Sequence, residues 1–420
     1  MKNLCCFITL STLFFLLFSC SPREIGQKTQ SKAEEGWSYL VEKSKSAYNK
    51  TKDTLGLDQD NSPSVSTKMT ISKRKFGTLA DGRVVNEYRM INENGVEVSV
   101  LDYGATVREI IVPDREGQLG NVSLGFNNLQ DYIDKSPYFG CIAGRYANRI
   151  KAGKFSIGEN SYQLAKNNGP NHLHGGEQGF DKRLWVGKIL QNDLGVSFRY
   201  RSVDGEEGYP GNLDVTATFF LSEQNELRIE IEAKTDKATV VNLTNHTYFN
   251  LAGEGDATIL DHQLTLPSTH YVATDNSGIP TGIERVISTP FDFRRSTEIG
   301  ARIDKEHTKL LDGKVYDHTW VVLPSSEELA PTAILKDPDS GRKLELFTNQ
   351  PGVQFYTGNY LDGTLQGMSG KSYPHRSGLC LEPQVFPDSP NHQGEDGWQS
   401  CILNPGETYS HISVYKFSTY

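Results

Sequence analysis

Beyond Ile71 the chain is a succession of short alternating segments, each ended by glycine, asparagine or aspartate, with no long apolar stripe at helical period. In "GKFSIGENSYQL", Phe155 and Ile157 precede Gly158-Glu159-Asn160, and Tyr162 and Leu164 follow, which predicts a hairpin. Runs of the same kind recur at "LDVTATFFLS", "ELRIEIEAKT", "QLTLPSTHYVAT", "GVQFYTGNYLDG" and "HISVYKFSTY". Many antiparallel strands joined by such turns imply an all-β chain, a large antiparallel β-sandwich or barrel. With 36% hydrophobic residues and 39 glycines, the chain has both the core and the turns for it. No fixed-period repeat and no linker divides residues 70–420, so one domain is expected there.

The N-terminus has a different character. Lys2 precedes an uncharged, mostly apolar run from Leu4 to Phe18, short for a bilayer span but suited to the h-region of an export signal. It ends in "LFSC", where Leu17, Ser19 and Cys20 resemble the lipobox of bacterial lipoproteins, whose cysteine is lipidated and becomes the new N-terminus. The alternative is an ordinary cleaved signal peptide with an incidental cysteine. The expectation is a signal peptide over 1–19, lipidation at Cys20, and an exported protein anchored to a membrane, facing the periplasm or the cell surface. Residues 20–69 read as a polar tether, in which Trp37, Leu40, Val41, Ala47, Tyr48 and Leu55 recur at near-helical spacing. Of the remaining cysteines in the mature chain, Cys141, Cys380 and Cys401 fit no metal or disulfide framework and are expected as buried thiols, with oxidation of one pair left open.

A net charge of −9 and the lack of any basic run argue against a nucleic-acid partner. Small-molecule chemistry is the default, and four stretches carry it. "VNLTNHTYFNLAG" reads as a strand by its β-branched and aromatic residues, with Asn242, Thr244, His246, Tyr248 and Asn250 on one face. Such a face offers donors and acceptors with little charge, which suits a neutral polyol; the alternative is turn-capping asparagines and a core histidine. In "GRYANRI", the Arg149 fork after Asn148 can bind two neighbouring hydroxyls or make a structural ion pair. "NHLHGG" sets His172 and His174 on one side if extended, yet no Cys, Asp or Glu stands at a spacing that would complete a metal site. In "SGLCLEPQVFPDSPN", Glu382 ends a buried-looking run, where desolvation would strengthen it as a base.

These motifs, with "GFDKRLW", "YDH" and "PGVQFYTGNYLDG", resemble in their order the aldose 1-epimerases, or galactose mutarotases, from about Gly77 to Phe417. The resemblance implies a β-sandwich of the galactose-mutarotase type with an open sugar cleft, a free aldose as substrate, and no metal or organic cofactor. It puts the catalytic base on Glu382 and the general acid on His246. It also puts sugar contacts on Asn148, Arg149 and His174, on Thr247 and Tyr248 of the substrate-contacting segment, on Asp317 of "YDH" and on Gln354 of "GVQF". The reaction needs such a set, because a hemiacetal opens when the C1 hydroxyl loses a proton while the ring oxygen gains one. Three rivals stand beside this reading. A sugar 6-phosphate epimerase would add basic residues such as Arg145 to the cleft, a glycoside hydrolase would pair Glu382 with Asp317, and a non-catalytic sugar-binding lipoprotein would keep the cleft alone. Oligomeric state is left open by the sequence.

Overall fold

Alternation in the strands decides how the layers form. In Leu213–Leu221 every odd position is buried, and its neighbour Glu226–Thr235 repeats the pattern in register. Each therefore offers one apolar face to a core. The computed structural model describes residues 69–190, 195–304, 316–323, 325 and 328–420. The expected signal peptide, Cys20 and the tether up to residue 68 lie outside these residues, and Ser66–Tyr420 forms one compact unit.

Among the described residues the large sheets have nine, six and five strands, and their ladders are antiparallel. The nine-stranded sheet has the C-terminal strand Tyr409–Thr419 at its centre, between Glu226–Thr235 and Arg342–Thr348. The six-stranded sheet runs Tyr248–Phe249, Leu379–Gln384, Gly352–Tyr356, Asp317–Val321, His270–Thr274, Pro280–Arg285. One core cluster joins the layers, with Phe198, Ile229 and Tyr415 from the nine-stranded sheet, Trp320, Phe355 and Leu381 from the six-stranded one, and Met90, Val98 and Ile110 from the five-stranded one. Burying such a side chain fully stabilises by roughly 1.5–3 kcal/mol. The expected all-β sandwich is what forms, and among the described residues helices are confined to short pieces such as Leu129–Asp134 and Gly300–Ile303. The hairpin read at "GKFSIGENSYQL" pairs Lys154–Ile157 with Asn160–Gln163, and the Phe155 and Tyr162 rings stack 5.2 Å apart.

One expectation is corrected. Val241–Gly253 is not one strand with a polar face and an apolar one. It forms two dipeptide strands, Thr244–Asn245 against Ile142–Ala143 and Tyr248–Phe249 against Leu379–Cys380, and both its faces are buried. Its asparagines make this irregular path possible. Asn242 donates to the Ala147 carbonyl and accepts from the Val385 N–H. Asn245 donates to Gly140, and Asn250 donates to Ser377 and accepts from the Ala252 N–H. These amides satisfy backbone that no ladder reaches, so they are brackets rather than sugar contacts. Cys141, Cys380 and Cys401 are free, buried thiols.

Burial also shapes the acid stability. Desolvation pushes His172, His246, His262 and His411 each down to about 4, and His174 well below its usual value. Unfolding restores values of about 6.5, so the unfolded chain binds more protons between pH 6.5 and 4 and stability is lost as pH falls through that interval. Urea titrations should show the unfolding free energy dropping steeply from pH 7 to 4.5. His411→Gln should flatten that slope by the equivalent of one proton; a pH-independent unfolding free energy would contradict the burial of these rings.

Candidate active site

The register of the six-stranded sheet sets out the site in rows. Cα partners share a face, so Tyr248, Cys380, Tyr356 and Asp317 form one row across four strands, and Glu382, Gln354 and Thr319 form the next. The opposite face carries Leu381, Phe355 and Trp320 into the core. This is why "LCLEPQ" and "GVQFY" are buried at every residue: one face meets core and the other meets the site.

Glu382 is only 2% exposed, and its pKa stands well above the ordinary carboxylate range, first through burial and then through the nearby charge of Asp317, with Arg149 opposing. Its Oε2 lies 3.6 Å from His246 Nε2 and has no hydrogen-bond partner within the protein. An orphaned buried carboxylate oxygen is a place where a ligand hydroxyl belongs. His246 is held by its backbone, whose N–H donates to Cys141 and whose carbonyl accepts from Gly140. Gly140 has φ +64°, and a Cβ there would lie 1.8 Å from the Val107 carbonyl oxygen, so this turn admits only glycine.

His174 and Asn148 clamp one another. The Asn148 N–H donates to His174 Nδ1 at 3.1 Å, and the His174 N–H donates to the Asn148 carbonyl at 3.2 Å. Both residues are in the left-handed region, at φ +48° and +65° respectively, and Gly175 follows because its Cβ would meet the Gly144 carbonyl oxygen at 1.8 Å. The turn aims His174 at His246, ring centroids 5.1 Å apart, and away from His172. His172 uses both ring nitrogens elsewhere, on the Ala165 carbonyl and the Tyr209 hydroxyl. The two histidines of "NHLHGG" therefore do not converge.

Around Arg149 a polar chain is assembled. Thr319 donates to Gln354, Gln354 Nε2 donates to Asp317 Oδ1 at 2.6 Å, and both Arg149 terminal nitrogens reach Asp317 Oδ2 at 3.4 Å. Arg149 Nε donates to Asn168. Arg149, Asn168 and Asp317 of this chain line an open cavity of about 350 Å³, whose other lining includes Ser277, Asn359 and Tyr360. Arg145 is no part of it, being buried with its guanidinium on the carbonyls of Ser202, Pro210 and Gly211.

The structure thus brings Glu382, His246, His174, Asn148, Arg149, Asp317 and Gln354 together. Thr247 and Tyr248 lie beside them with hydroxyls already committed, to Asn245 and to the Pro137 carbonyl respectively. Tyr248 contributes its ring, stacked on His246 at 5.2 Å. Tyr138, which the sequence reading missed, packs on His174 at 4.7 Å and on His246 at 5.8 Å. Also missed were Asn168 and Tyr360; the latter is 76% exposed at the cavity mouth, within the quoted "GNYLDG". His174, His246 and Glu382 offer ligand atoms within 4.8 Å of one another, a spacing a cation would accept. His174 Nδ1, however, already accepts an N–H, so its neutral ring carries the proton on Nε2 and presents a donor there rather than a lone pair. The donor set fits proton transfer and hydroxyl binding.

The sequence pattern of the family described as Aldose 1-epimerase matches residues 86–416. The chain is 44% identical over 351 residues to the galactose mutarotase of Mus musculus, covering 83% of this chain and 99% of that one. To the aldose 1-epimerase of Escherichia coli K12 it is 36% identical over 340 residues, 80% of this chain and 96% of that one. Among solved structures, galactose 1-epimerase from Lactobacillus acidophilus superposes with a TM-score of 0.73 at 29% identity, covering 84% of this chain and 99% of that one. The GalM/aldose epimerase homologue from C. elegans gives 0.71 at 27% identity, with the same coverages. With a match that spans nearly all of the β-sandwich, this chain belongs to the aldose 1-epimerase family.

Proposed function

We propose that the protein interconverts the α and β anomers of free aldoses, with Glu382 as the base that opens the ring and His246 as the acid. The observation that carries these roles is the approach of Glu382 Oε2 to His246 Nε2 at 3.6 Å, with the carboxylate oxygen unpartnered on a buried wall beside Arg149, Asp317 and Gln354. Burial drives each partner toward its neutral form, raising Glu382 and lowering His246 to about 4. Two such groups share one proton over a wide pH range. When the positive charge of Arg149 and the bound hydroxyls favour the carboxylate, the shared proton resides on His246. Glu382 then takes the C1 hydroxyl proton as His246 protonates the ring oxygen. Rotation about C1–C2 exposes the other face of the aldehyde, and reversal of both transfers closes the opposite anomer.

The rivals fit less well. Arg149 is the one cation among the residues lining the cavity, and Arg145 is turned to backbone carbonyls, so a 6-phosphate has no cluster to meet. Both Asp317 oxygens already accept, from Gln354 and Arg149, which suits a carboxylate that holds hydroxyls and not a glycosidase's proton donor. The lipobox-like "LFSC" supports a separate proposal, that Cys20 carries lipid and tethers the domain to a membrane.

Glu382→Gln should lower anomer interconversion, followed by NMR exchange, by about 10²–10⁴, with sugar affinity by calorimetry little changed. His246→Asn should also slow it, and the double variant should be scarcely worse than either single one, because both act on one event. A Glu382→Gln protein that turns over at the wild-type rate would remove the mechanism. In the pH profile of kcat/KM, the acid limb should lie at about 4, where His246 is protonated while Glu382 already holds its proton, leaving no base. The alkaline limb should mark loss of the shared proton, and an inflection at an ordinary histidine value would contradict the buried pair. Cys20→Ser should leave activity intact while abolishing palmitate labelling and detergent-phase partitioning; unchanged labelling would refute the anchor.

A further inference from the structure

We propose that Thr319 is a positioning residue for sugar binding: its hydroxyl fixes the orientation of the Gln354 amide, and through it the Asp317 carboxylate on which Arg149 rests. The inference rests on the reading of this cleft as an aldose site. Thr319 directly follows the "YDH" segment. In the strand Asp317–Val321, alternation puts Asp317 and Thr319 on the face toward the site, while Trp320 on the opposite face enters the core. The ladder then sets Gln354 directly opposite Thr319. Thr319 is 1% exposed and Gln354 2%, so neither can turn to solvent for a partner.

An amide can be placed either way round, and here its neighbours allow one way. Asp317 is ion-paired through Oδ2 with Arg149, so it meets Gln354 as an acceptor. The amide atom 2.6 Å from Oδ1 is therefore Nε2, since two oxygens at that distance with no proton between them would repel. Oε1 is left facing the Thr319 hydroxyl. A carbonyl oxygen has no proton to give, so Thr319 is the donor. Its methyl holds the hydroxyl in place, because Cγ2 packs where Gly352 has no side chain; a Cβ there would lie 2.6 Å from it. The bonds run in one direction, from Thr319 to Gln354 to Asp317, and each polarises the next. Without the hydroxyl, Oε1 would be a buried acceptor lacking a donor. The amide would turn to find one, and Asp317 with the Arg149 fork would lose the setting in which they meet neighbouring sugar hydroxyls.

The test uses full-length protein with glucose and galactose, reading affinity by calorimetry and anomer exchange by NMR. The Gln354 side-chain amide is observed by ¹⁵N-glutamine labelling and assigned by its absence in Gln354→Ala. Thr319→Val keeps the shape and the methyl and removes the O–H. It should weaken sugar binding and raise KM by roughly three- to tenfold, the worth of one hydrogen bond, with kcat little changed because both charges stay in the cleft. Thr319→Ser, which keeps the donor, should recover most of the affinity. In the wild type one Gln354 amide proton should lie well downfield, bonded to the carboxylate, and Thr319→Val should move it toward the free position. In a Gln354→Ala background Thr319→Val should have no further effect, because the threonine acts through the amide. A valine variant with wild-type KM and amide signal, a serine variant no better than valine, or an undiminished valine effect in the alanine background would each overturn the role. Should the valine variant not fold, Thr319→Ala takes its place with the same expectations, and a wild-type amide with both protons at free positions would also overturn the role. A wild-type protein that speeds the anomer exchange of neither sugar would instead overturn the mutarotase reading, and the amide signal then decides the Thr319 contact by itself.

Discussion

The site depends on one ladder, the pairing of Gly352–Tyr356 with Leu379–Gln384. It sets Gln354 opposite Glu382 and Tyr356 opposite Cys380, and the next ladder adds Thr319 and Asp317 to the same rows. A slip of one residue would send Glu382 into the core and Leu381 into the cleft, since side chains alternate with a period of two. The apolar face prevents this. Leu381, Phe355 and Trp320 are each 1% exposed or less, and turning three such side chains outward costs far more than the polar row gains. The chemistry of one face is thus kept in register by the hydrophobicity of the other.

The same burial that anchors the ladder prepares the proposed acid and base. Neither Glu382 nor His246 is adjusted mainly by a paired charge; desolvation leads both shifts, in opposite directions. A carboxyl that holds its proton more tightly and an imidazole that holds its own less tightly approach one another in proton affinity. Small changes in the electrostatics of the bound state then suffice to move a proton between them. Arg149, held on Asp317 and facing the cavity, is the charge that would make that change in the proposed mechanism.

Much of this was legible in the chain, for reasons that can be named. Alternation declared Leu213–Leu221 and Glu226–Thr235, and the Gly158-Glu159-Asn160 turn declared its hairpin, because local pattern and tertiary burial agree there. The segment around His246 was less legible as structure, since three asparagines replace ladder partners with side-chain bonds and period two loses its meaning. The separation of His172 from His174 was hidden in a left-handed backbone turn at His174 itself. Tyr138 carries no local signal at all. It matters through contacts with His174 and His246, far away in sequence, which only the assembled fold creates.

The place of the C-terminal strand bears on how the protein is made. Tyr409–Thr419 lies in the middle of the nine-stranded sheet, with four strands on either side. As the chain leaves the ribosome, the strands of both halves are complete before the residues that join them exist. Until then each half presents an unpaired inner edge, and a nascent chain with two such edges is both unable to close its core and open to wrong partners. The sandwich is therefore sealed by Tyr409–Thr419, and a chain without that strand is left with two half-sheets rather than a sheet one strand narrower.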